Sequence, residues 1–120
     1  MNLLLLAAGV LAFITGILHS VLGERFIVGR LMIVEIGRTS ERRGFVRHVI
    51  RFAWHLTTVF LFGFAALLLN MAAGLHALLS AKALVGWTFA AGSILALVST
   101  RGKHFSWIVF ALIAVLAFAG

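Results

Sequence analysis

Long apolar runs broken at a few polar points organise this chain. From residue 3 to residue 23 nearly every position is apolar or small, and the run closes at His19-Ser20-Val21-Leu22-Gly23-Glu24-Arg25. About 20 apolar residues are what an α-helix needs to cross a bilayer. Residues 3–23 are therefore expected to form a first span, retained because no basic stretch precedes the run as it does in a secretory leader. Residues 26–37 are mostly apolar but contain Arg30 and Glu35. Too short and too charged to cross, they are expected to lie at the interface as an amphipathic or re-entrant segment, within a cytoplasmic connection over residues 25–40.

Thr39-Ser40-Glu41 places a hydroxyl cap before an acid, a helix-start signal. The helix that begins there should reach Asn70, with residues 49–69 as the second span and its first turns outside the hydrocarbon. The stretch from Asn70 to His76 reads as a turn and residues 83–100 as a third span. Arg101-Gly102-Lys103 reads as a tight basic turn, and residues 104–119 as a short fourth span. The expected architecture is an all-α integral membrane protein, one domain of four transmembrane helices in a compact antiparallel bundle.

Composition supports the lipid environment. Of the 120 residues 63% are hydrophobic and 11% charged, against about 25% charged in an average soluble domain. A soluble domain of this size buries only about two-thirds of its surface, too little to hide so many Leu, Ala, Val and Phe side chains. The absence of cysteine excludes disulfides, thiol catalysis and cysteine-type zinc sites. The three methionines are scattered, which argues against a soft Cu(I) site. With no proline, any helix break must fall elsewhere, at glycine.

A net charge of +7 suggests nucleic acid until the cations are placed. Nine of the ten Lys and Arg residues lie in the connection between spans 1 and 2 or in the turn between spans 3 and 4, and only Lys82 falls on the other side. Basic residues at span ends mark the cytoplasmic face and meet anionic headgroups. The expected partner is thus the lipid bilayer, not nucleic acid, and the expected location a bacterial inner (plasma) membrane with both chain ends outside the cytoplasm. Small residues recur every four positions at Ala8, Ala12, Gly16 and Ser20, flanked by Gly9 and Gly23, and again at Thr88, Gly92, Ala96 and Thr100. Such stripes let helices approach closely in lipid. Here they suggest seams inside the bundle before a homo-oligomer or a contact with partner subunits. Trp54, Trp87 and Trp107 fall near span ends, where tryptophan anchors a helix at the interface.

The residues able to carry chemistry gather toward the cytoplasmic ends. His19 lies about 7.5 Å deeper than Glu24 on a regular helix. His48, Arg51 and His55 are spaced by three and four residues and share a face, which Thr58 continues, and Arg47 overlaps it. Ser99, Thr100 and His104 add polar groups at that level, and His76 stands apart in the outer turn. Intramembrane ionisable groups are costly and are functional candidates by default.

Four readings fit these residue types, and the leading site expectation is a polar pocket near the cytoplasmic face, built from His19, Glu24, Arg51 and His55, that binds a metal ion or haem. In the first, Glu24 pairs with Arg51 or Arg47 while His19 and His55 bond to Ser20, Thr58 or backbone carbonyls, in a structural or accessory subunit. In the second, His19, Glu24 and His55 bind a metal ion, with His48 or His104 as a fourth ligand. The third makes His19 and His55 axial ligands of haem b, with Arg51 and Arg47 on the propionates and the small residues Ala12, Gly16 and Gly23 leaving room for the ring. In the fourth, Arg51 binds an anionic group while His55 and Glu24 relay protons, as in a transporter.

Overall fold

The structure is a computed structural model and describes residues 1–31, Ile33, 40–74 and 79–120. Among the described residues the secondary structure is entirely helical. Helix α1 spans Leu3–Leu31, α2 Ser40–Ala73, α3 Ala81–Thr100 and α4 Ser106–Ala119. The Asn2 side chain caps α1 by accepting from the Leu4 and Leu5 amides at 3.1 and 3.2 Å, and the Asn2 backbone N–H donates to the Ala72 carbonyl at 3.0 Å. The start of α1 is thereby tied to the end of α2. Ser80 caps α3 through the Ala83 amide, and Arg101 and Gly102 close its far end with φ of 52° and 73°. The Gly102 amide returns to the Leu97 carbonyl at 2.9 Å, a Schellman-type stop.

Helices α1, α2 and α3 are long and apolar enough to cross a membrane. Helix α4 has 14 residues and is about 21 Å long, short of a hydrocarbon core of about 30 Å.

Two expectations need correction. Helix α1 does not stop at Gly23. Gly23 and Glu24 both keep right-handed helical angles, and the chain continues through a π-helical turn, Glu24–Val28, before a last α-helical turn to Leu31. The Gly29 amide closes that turn on the Glu24 carbonyl. With no proline nearby, one extra residue is absorbed by widening the helix. The rest of the 26–37 segment, apart from Ile33, lies outside the described residues, as does His76.

The helices also do not close into a compact bundle. Each packs chiefly on its neighbours in the chain, α1 on α2, α2 on α3 and α3 on α4, and the Cα extents of 55 × 33 × 13 Å are those of a single row. The contact register explains the shape. A Cβ at Gly9, Gly16 or Gly23 would meet Leu69, Phe62 or Trp54 in turn, so α1 and α2 run in opposite directions. Gly63 meets Thr88, Gly92 lies under Leu56 and Phe110, and Gly86 under Phe118, which reverses each following neighbour as well. On α2 the set facing α1 (Trp54, Phe62, Leu69) and the set facing α3 (Leu56, Gly63) lie about 140° apart at 100° per residue. That is more than the right angle of a closed square, and in lipid little apolar driving force bends the row shut.

The seam on α1 differs from the four-residue stripe as well. Gly9, Gly16 and Gly23 are buried, seven residues apart, while Ala8 is exposed. A two-turn period holds one line of glycines against one neighbour.

Candidate functional site

The polar residues of α1 and α2 meet where the π-turn begins. Arg51 grips Glu24 with two donors, Nε to Oε2 at 3.1 Å and Nη2 to Oε1. His55 Nε2 also reaches Glu24 Oε2, at 3.1 Å. A carboxylate only accepts, so Nε2 carries the proton, and Nδ1 bonds the Ser20 hydroxyl at 3.2 Å. Glu24 thus receives three charge-assisted or polar bonds, and both nitrogens of His55 are used. The carboxylate is about a third exposed, with Arg51 on its open side.

One turn deeper, His19 and Trp54 form a second junction. Their rings stack at 4.5 Å with 4° between planes. His19 Nε2 donates to the Trp54 carbonyl at 3.3 Å, and Trp54 Nε1 donates to the His19 carbonyl at 3.0 Å. Gly23 makes this possible, because a Cβ there would sit on the indole.

Several residues expected as metal or haem ligands have other partners here. His19 bonds away from Glu24, and His48 Nδ1 donates to the Gly44 carbonyl of its own helix at 2.7 Å. His104 Nδ1 accepts from the Ser106 hydroxyl and amide at 2.8 and 3.3 Å. Among the described residues no three His, Asp or Glu side chains converge on one point. The slots at Gly16 and Gly23 expected to admit a haem ring are filled by Phe62 and Trp54, and His55 has no nitrogen left for an axial bond. Arg47 lies half-buried one turn before Arg51, and the Glu24 bonds described are to Arg51 and His55.

Of the four readings, mutual pairing describes the contacts best, with two differences. Thr58 does not serve His55. Among the described residues its buried hydroxyl has no hydrogen-bond partner. Thr15, Thr57, Thr88 and Thr100 each bond the carbonyl four residues back, but for Thr58 that carbonyl belongs to Trp54 and receives His19. The other difference is Trp54 itself, expected as an interfacial anchor and found as the partner of His19. The pairing of Gly23 with a tryptophan one residue before His55 was the available signal. Comparison with protein-family models, characterised proteins and solved structures finds no match for this chain.

Proposed function

We propose that the protein is a structural or accessory subunit of a larger membrane complex, with no chemistry of its own. Its four helices cross a bacterial inner membrane with the α1–α2 connection and the α3–α4 turn on the cytoplasmic side and both chain ends opposite. The short α4 is accommodated by local thinning of the bilayer and by flanking residues that reach to the interface.

The observation that carries this reading is the closed set of bonds around Glu24. Arg51 and His55 occupy the carboxylate and Ser20 occupies the far nitrogen of His55, so the ionisable groups are spent on joining α1 to α2. Exposed apolar side chains along the row, among them Leu11, Phe64, Ile94 and Leu112, suit lipid or a partner subunit.

Two measurements on protein extracted in mild detergent test the reading. Absorbance and elemental analysis of the purified chain should give no Soret band and no stoichiometric metal, and native electrophoresis of solubilised membranes should place the chain in an assembly with another polypeptide. A metal or haem at one equivalent that is lost in His55→Ala, or migration of the chain alone, contradicts it.

A further inference from the structure

A second polar feature lies between the start of α2 and the α3–α4 turn. It is a cleft of about 290 Å³ walled by Gly44 and His48 on α2, Ser99 and Thr100 at the end of α3, and Arg101 and Lys103 in the turn. With each water claiming about 30 Å³ of liquid, it admits a phosphate group and part of its hydration shell. Positions about fifty residues apart in the chain bring basic side chains to one opening, and among the described residues no acid lines it.

Local bonding commits part of this wall. His48 commits Nδ1 to the Gly44 carbonyl, so Nε2 is the remaining polar atom of the ring. Thr100 spends its hydroxyl on the turn, donating to the Ala96 carbonyl at 2.6 Å and accepting the His104 amide at 3.3 Å. Arg101 is the sole non-glycine residue with positive φ among the described residues. A left-handed backbone is costly for a branched-length side chain where glycine or asparagine would sit without strain, yet the position carries a guanidinium at the mouth of the cleft. Two other cations at this end are placed differently. Arg51 is held by Glu24, and Arg25 lies 5.5 Å over the Phe26 ring.

We propose that this cleft binds a phosphate-type anion, with Arg101 and Lys103 as the main donors and His48 and Ser99 completing the wall. The same chemistry is offered by the headgroup of an anionic phospholipid and by free phosphate. Juxtamembrane basic side chains attract anionic headgroups.

The test uses the full chain in dodecyl maltoside, following the thermal midpoint by tryptophan fluorescence. Short-chain phosphatidylglycerol or inorganic phosphate is titrated at ionic strength held constant with chloride. A saturable rise with phosphatidylglycerol alone assigns the lipid source, and a rise with inorganic phosphate assigns the free anion. In either case Arg101→Asn/Lys103→Gln should weaken the apparent affinity on the order of tenfold or more. Arg25→Gln/Arg30→Gln, at the end of α1, should leave it unchanged. Asparagine tolerates the left-handed turn, and Lys103→Gln alone keeps the test open if the double variant does not purify folded. No rise with either probe overturns the proposal, as does a rise that persists in the Arg101/Lys103 variant or is lost equally in the Arg25/Arg30 variant.

Discussion

Replacing Gly23 by alanine adds one methyl group at the point where α1 and α2 come closest through Trp54. The backbone accepts it, since Gly23 is right-handed helical with φ −61° and ψ −48°, and helix propensity alone would favour alanine by about 1 kcal/mol. The new Cβ, however, would lie on the indole of Trp54. Displacing that ring strains packing by about 1–3 kcal/mol. It also breaks the Trp54 bond to the His19 carbonyl, a loss of about 1 kcal/mol, and disturbs the His19–Trp54 stack, a further loss of about 0.5–1.5 kcal/mol. Set against the gain in propensity, the net destabilisation is about 3 kcal/mol. Gly44 is the matched control, because a Cβ there meets nothing within 4 Å, so Gly44→Ala should stabilise by about 0.5–1 kcal/mol. Equilibrium unfolding in mixed dodecyl maltoside and sodium dodecyl sulfate micelles, followed by far-ultraviolet circular dichroism, measures both. If Gly23→Ala is as stable as the parent protein or rises with Gly44→Ala, the Trp54 slot does not hold the helices together and the reasoning fails.

Two further outcomes follow from the same geometry. His55→Leu removes a bridge between Ser20 and Glu24, leaving a hydroxyl and one carboxylate bond unmet, and should cost about 1–2 kcal/mol in the same assay; a neutral result would mean that Ser20 and Glu24 re-pair with water. Asn70 bonds both the carbonyl and the amide of Leu79, at 2.8 and 3.3 Å, across the connection from α2 to α3. Asn70→Ala should lose about 2 kcal/mol, whereas Asn70→Asp, which keeps an acceptor for the Leu79 amide, should lose less.

Much of this was legible in the residues. The start of α2 at Ser40 and the end of α3 at Thr100 follow from polar punctuation, and the helices sit close to where hydropathy puts them. The pairing of Glu24 with Arg51 follows from two ionisable groups at one depth on neighbouring helices. What escaped depends on three-dimensional fit. Continuation past Glu24 rests on a π-turn that no hydropathy pattern encodes, since it needs only one extra residue and a glycine at 29. The open row depends on the angle between two faces of α2, visible only once the partners of Trp54 and Leu56 are known. His19 looked like a ligand because histidine type and depth were all that spacing could supply. Its commitment to Trp54 is a matter of ring geometry.

The claim at the centre of the account is that Glu24 and Arg51 serve each other. A double-mutant cycle of Glu24→Gln, Arg51→Gln and both together, read as unfolding free energy in mixed micelles, tests it most directly. The bidentate pair is part-exposed, so its coupling should fall between that of a surface pair and a buried one, about 1–2 kcal/mol. The double variant should then be little worse than the poorer single. Strictly additive losses, or single substitutions that leave stability untouched while abolishing binding of a metal or haem, would contradict the account.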